Sequence, residues 1–243
     1  MFSRMARAAC LALALSAGAA TAETGNLAEF NDAMESVSSF NRVAIGYLRT
    51  GNTDLASIAI DQMRIAWGKF TARFAGRRPV AFDGNPLYAP LFTVVSARLV
   101  AADLMLKTGR PEAARQSLDA IRGDFYDLRK AAGIAVLADC VRDANAAVDA
   151  LMVYNDRALD WTNSETRDDI ANKTSIYGSV LDRCDGMASE TVRKAPEFRR
   201  LVDGAKAGLA LIPKAIASRD SDLLHRVLIE LRSFDHLLAF RFG

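Results

Sequence analysis

Apolar residues return every three to four positions along most of the chain, and no stretch sustains the alternation of a half-buried strand. This period predicts a helix over about 26–49, a turn at Thr50-Gly51-Asn52, and a second helix over about 53–74. A Pro/Gly-rich loop, AGRRPVAFDGNP, separates it from a third helix over about 87–107. Thr108-Gly109-Arg110 ends that helix. Pro111 opens the fourth, which reaches about 130, at the first-turn position where proline's missing N–H is no loss. A fifth helix covers about 132–154, NDRALDWTNS forms a loop, and Ser164 opens a sixth that reaches about 188. The seventh spans about 190–217 and is expected to kink at Pro213. The last spans about 221–241, capped by Asp220 or Ser221.

The pattern repeats inside the chain. TGNTDLASIAIDQMRIAWGKF (50–70) aligns without gaps on TGRPEAARQSLDAIRGDFYDL (108–128), so that Ile60, Met63 and Trp67 match Leu118, Ile121 and Phe125. A weaker third copy, SRDSDLLHRVLIELRSFDHLL (218–238), shares Arg232 with Arg64 and Arg122. Each copy is a tight turn followed by a helix with the same apolar stripe. The spacing is not the roughly 34 residues of a tetratricopeptide array; it suits helical hairpins paired into bundles. The expected fold is therefore all-α, eight helices forming two up-down four-helix bundles in tandem, residues 23–130 and 131–243. One elongated helical bundle is the alternative, because only Gly133 interrupts KAAGIAV. Arg64, Arg122 and Arg232 fall on polar flanks, where stems can cover apolar surface and guanidinium heads can meet carboxylates.

The N-terminus departs from this pattern. Arg4 and Arg7 precede the apolar run AACLALALSAGA, and Ala20-Thr21-Ala22 suits cleavage before Glu23. Residues 1–22 are thus expected to be a secretory signal peptide that takes Cys10 with it, and the expected compartment is the periplasm. Removal of Arg4 and Arg7 turns 31 basic against 29 acidic residues into 29 against 29. A near-neutral mature chain has no concentrated basic face for nucleic acid. No later apolar run is read as long enough to span a bilayer. The expected partner is an unknown protein or a second copy of the chain.

Two cysteines remain, Cys140 early in the fifth helix and Cys184 late in the sixth. Antiparallel neighbours bring those ends together, and an oxidising compartment favours a disulfide over free thiols or soft metal ligands. Closing the loop between them is worth roughly 4 kcal/mol in the entropic treatment.

Residues 26–64, NLAEFNDAMESVSSFNRVAIGYLRTGNTDLASIAIDQMR, and 194–237, KAPEFRRLVDGAKAGLALIPKAIASRDSDLLHRVLIELRSFDHL, resemble the first and second hairpins of the cytochrome c-prime and soluble b-type cytochrome superfamily. The resemblance implies periplasmic four-helix bundles that hold one haem. It departs from the pattern where the haem would be held. The Cys-x-x-Cys-His motif is absent: DFYDLR (124–129) stands in its place in the first bundle and RSFDH (232–236) in the second. For a b-type arrangement the first bundle keeps Met34 but has Arg129 in the histidine's place. The second keeps His236 but has Cys140 near the methionine's place. Met34 and His236 are the candidate ligands of a haem b. At about 100° per residue, however, His236 lies roughly 150° from the centre of its helix's apolar face, which argues for a solvated or interface histidine and no cofactor.

Other chemistry lacks parts. His225 and His236 stand about 16 Å apart along one helix, too far to chelate one metal. There is no Glu-x-x-His pair, Gly-x-Ser-x-Gly elbow or phosphate-binding glycine loop, so the chain is read as not an enzyme. Asp182 and Asp185 beside Cys184 read as solvated charges, and Met63, Trp67 and Phe70 as core. The remaining candidate is the loop carrying Arg73, Arg77, Arg78, Phe82 and Tyr88, which could bind an anionic or aromatic group. The function expected is a binding or scaffolding role for a haem-free bundle protein, with haem-based electron transfer through His236 as the alternative.

Overall fold

The computed structural model describes residues 27–155 and 157–243 in full; the expected leader and its cleavage site after Ala22 lie outside these residues. The protein is all-α: among the described residues every regular element is a helix. The chain divides into two compact units, Met1–Ile134 and Ala135–Gly243.

The first unit contains α1 (Ala6–Arg49), α2 (Thr53–Phe74), a 3-10 turn at Val80–Phe82, α3 (Tyr88–Lys107) and α4 (Pro111–Ala131). α1 packs on α2 and α4, and α3 packs on α4 and α2, so the four helices close a ring. The second unit contains α5 (Leu137–Met152), α6 (Ser164–Met187), the short α7 (Glu190–Lys194), α8 (Pro196–Leu209), α9 (Ile212–Ser218) and α10 (Ser221–Phe242). α5 packs on α6 and α10, α10 also on α8 and α9, and α6 on α8 and α9.

The tight turns follow one geometry. After α1, Gly51 takes φ 75° and the Asn52 N–H donates to the Tyr47 carbonyl at 2.9 Å. After α3, Gly109 takes φ 71° and Arg110 donates to Met105 at 2.8 Å. This is the Schellman arrangement, in which a left-handed residue lets the chain turn back onto the helix's last carbonyls. The third repeat makes the same turn without glycine: Arg219 takes φ 55° and Asp220 donates to Ala215 at 2.9 Å. The next helix is then capped by Asn52, accepting from Leu55 N–H, or by Asp220, accepting from Leu223 N–H.

Two boundaries differ from expectation. The fifth helix begins at Leu137 instead of near 132, because Gly133 is left-handed (φ 68°) and Ile134 donates to Arg129, closing α4 with a fourth such turn. The expected single helix over 190–217 is three pieces. Ala195 is extended (φ −64°, ψ 128°) ahead of Pro196, as the ring of a proline requires of the residue before it. Pro213 cannot donate to the carbonyl four residues back and its ring crowds that carbonyl, so the chain breaks at Ala210-Leu211 where a kink was expected.

Each unit has its own core. In the first, Phe30, Phe70, Phe74, Phe82 and Tyr88 form a buried aromatic group, and Trp67 stacks on Phe70 with centroids 5.1 Å apart. The matched stripe residues Ile60, Met63, Trp67, Leu118, Ile121 and Phe125 are all buried, as the repeat predicts. In the second unit Val141, Val148, Tyr177, Leu181, Leu201 and Leu228 are among the core residues. The repeated arginines also meet carboxylates: Arg64 with Asp61 and Asp103, Arg122 with Asp119, and Arg232 with Asp149. Among the described residues α3, with a mean hydropathy of 1.6 over its best window, is the one helix long and apolar enough to cross a membrane by length and composition alone; its Leu91, Val95 and Leu99 turn into the core, and it marks no clear span, in line with expectation.

Candidate functional site

The positions singled out by the haem resemblance are occupied by packing. Met34 projects from α1 into the first core and is 1% exposed. Arg129, in the histidine's place near the end of α4, is also buried, and its Nη1 donates to the Met34 sulfur at 2.8 Å. Two turns further along α1, Asn41 is fully buried; its Nδ2 donates to the Leu118 carbonyl at 3.0 Å, while its Oδ1 has no hydrogen-bond partner. The seam between α1 and α4 is thus lined by a thioether, a guanidinium and an amide. In the second unit the methionine-like place is held by Cys140, whose Sγ is at disulfide distance from that of Cys184 (2.18 Å; Cα–Cα 5.4 Å). His236 is exposed on α10. Among the described residues no free methionine–histidine pair faces inward in either unit, so these residues do not fit the haem that the resemblance implies.

The candidate binding loop is brought together only in part. Arg73, Arg77 and Arg78 are exposed, but Phe82 and Tyr88 are not available to a ligand. Both are among the fully buried side chains: Phe82 sits against Phe30, and the Tyr88 hydroxyl donates to the Phe74 carbonyl at 2.7 Å. Burial pushes the Tyr88 hydroxyl up to about 12, with Arg78 above the ring acting in the opposite sense. Arg73 is engaged by Glu29 at 2.6 Å. The loop's aromatics close the end of the core, and its arginines lie outside it.

The second unit holds a polar group that periodicity did not predict. In the third repeat the place of Trp67 and Phe125 is taken by Asp235, a carboxylate only 1% exposed. Asn145 from α5 donates to its Oδ1 at 2.6 Å, and Arg232 approaches its Oδ2 at 3.6 Å. Tyr177 from α6 is buried nearby with its hydroxyl lacking a hydrogen-bond partner. Burial, and then the charge of Asp235, push the Tyr177 hydroxyl far above its ordinary value, and Arg232 opposes them. The only available signal was the repeat itself, in which an acid stands where two aromatics stand in the other copies.

Other polar residues form pairs nearer the surface. Asp182 and Asp185 meet Lys206 and Arg199. For Asp185, burial raises the carboxyl's pKa, but the Arg199 hydrogen bonds and charge, with Lys206, outweigh that and hold it below the usual range. At the start of the α5–α6 loop, Tyr154 donates to Asp169, which also pairs with Lys173. His225 Nδ1 lies 3.1 Å from the Asn155 carbonyl. Trp161 closes the loop with its Nε1 donating to Ser221 Oγ at 2.8 Å. Among the described residues no group of three or more His, Cys, Asp or Glu side chains is placed to hold a metal ion. Comparison with protein-family models, with curated proteins and with solved structures finds no match.

Proposed function

We propose that this chain is a non-enzymatic, exported helical-bundle protein of the periplasm, with a binding or scaffolding role, built as two four-helix bundles and related to haem-binding bundles without holding haem. The observation that carries this reading is the Arg129–Met34 contact: a buried guanidinium occupies the sulfur that a b-type iron would need. A cationic group in that slot also opposes entry of a ferric centre, since like charges in a poorly solvated interior repel strongly. Cys140, paired with Cys184, supports the same conclusion for the second unit and suits an oxidising compartment.

Absorption spectroscopy of the purified protein with added haemin tests it. The expected result is no Soret band beyond that of free haemin, for the wild type and for His236→Ala alike. A saturable Soret band that His236→Ala or Met34→Ala abolishes would replace this reading with haem-based electron transfer.

A further inference from the structure

α3 is apolar on two opposite sides. Leu91, Val95 and Leu99 face the core of the first unit, while Val100 and Leu104 on the other side are 66% and 55% exposed. A helix at the edge of a soluble bundle ordinarily turns charged and polar residues outward. Its neighbour α2 does the same with Ile58 and Ile65, 57% and 55% exposed. The two helices run antiparallel: Trp67 donates to Ser96, and Arg64, three residues before Trp67, pairs with Asp103, seven residues after Ser96. Ile65 and Val100 therefore lie at one level of a shared outer face.

The internal repeat shows that the fold does not ask for this. Carried by the same register that matches 50–70 to 108–128, Ile58 and Ile65 fall on Gln116 and Gly123 of α4, and Ala97 and Val100 on Ser39 and Arg42 of α1. The apolar character belongs to the α2–α3 face and not to the repeated hairpin.

We propose that this face is the contact between two copies of the chain. Its charges balance: Asp54, Asp61 and Asp103 stand with Arg64, Lys69 and Lys107, and Asp103 already accepts from Lys107 at 2.8 Å. A balanced face complements its own copy and has no excess charge for an anionic lipid surface or a strongly charged partner. The area is also sufficient. Two helices about 30 Å long, side by side at about 10 Å, cover roughly 600 Å² on each copy, which reaches the small end of specific interfaces. Because α2 and α3 are antiparallel, any two-fold axis lying in the face and along or across the helices sets each against an antiparallel helix of the other copy. The contact is then itself a four-helix packing, with opposed helix dipoles. This inference goes beyond the binding role proposed above and does not depend on it.

Sedimentation equilibrium of the full mature chain tests the proposal. The expected mass is that of two chains, and the double variant Ile65→Asp/Val100→Asp, which sets like charges against each other under either axis, is expected to raise the dimer dissociation constant at least ~100-fold. Both substituted side chains are exposed, so circular dichroism should not change, and the thermal midpoint should fall only to the value that the wild type reaches when diluted below its dimer dissociation constant. Ile229→Lys, at an isolated exposed apolar residue of α10, should leave the dimer intact. The proposal is overturned by a monomer at about 100 µM, weaker than any specific dimer of this size should be. It is equally overturned by a double variant that still dimerises, or by a monomer that sediments with neutral phosphatidylcholine vesicles through this face.

Discussion

Arg219 holds a backbone conformation that glycine holds in the three other turns of this kind. Its left-handed φ of 55° brings Cβ close to its own following carbonyl, a cost of about 1–2 kcal/mol that glycine avoids. Glycine in turn is freer in the unfolded chain, which offsets part of that gain. Arg219→Gly should therefore raise stability by roughly 0.5–1 kcal/mol, read from the urea midpoint of the second unit, with no change in helix content. A lower midpoint would mean that the arginine side chain contributes more than its backbone costs. The buried polar residues show the opposite balance. Asn41, Arg129 and Asp235 sit in cores where an apolar residue would be expected, and each is held by a specific partner: the Leu118 carbonyl, the Met34 sulfur and the Asn145 amide. Such groups contribute little net stability but penalise registers in which the partner is missing.

Among the elements, α8 and α10 depend most on the absence of side chains. Gly204 and Gly208 lie one turn apart on the face of α8 that meets α10. A Cβ at Gly204 would stand 2.6 Å from Phe234 Cζ, and one at Gly208 would stand 3.2 Å from Leu231 Cδ2. Gly204→Val should push Phe234 out of place and cost about 1–3 kcal/mol, measured by chemical unfolding. Adding Phe234→Ala should recover part of the loss, because the two side chains compete for one space. A single variant as stable as the wild type would show that the helices can part without cost. The same contact explains why two prolines are tolerated nearby: α8 and α9 are short pieces held by packing on α6 and α10, and α7 packs on α8, so an unbroken helix is not required.

At the scale of the molecule, the two units are stabilised differently. Cys140 and Cys184 both lie in the second unit, at the open end of the α5–α6 hairpin, and this hairpin has a long loop where the other three have tight turns. The chain has two tryptophans, Trp67 in the first unit and Trp161 in the second, so each unit reports on itself. Reduction should lower the stability seen by Trp161 fluorescence in a Trp67→Phe background by about 2–4 kcal/mol. The transition seen by Trp67 in a Trp161→Phe background should stay where it was. If both transitions move together, the units unfold as one cooperative body.

Much of this was legible in the sequence for physical reasons. Helix period, glycine after Thr50 and Thr108, and proline at position 111 act locally, through backbone sterics and the burial of one stripe, so they mark elements wherever they occur. The repeat carried the stripe from Ile60, Met63 and Trp67 to Leu118, Ile121 and Phe125 because hairpins of one geometry bury the same register. Compartment chemistry and antiparallel neighbours likewise brought Cys140 and Cys184 together in expectation. Periodicity reports which side of a helix turns inward; it says nothing of what stands opposite. Only the tertiary structure therefore decided that Arg129 meets Met34, that Asp235 is buried beside Asn145, and that Phe82 and Tyr88 fill the core instead of a binding loop. The exposed side of α3 was hidden for the related reason that a helix apolar on two opposite sides gives its outward face little contrast with its inward one.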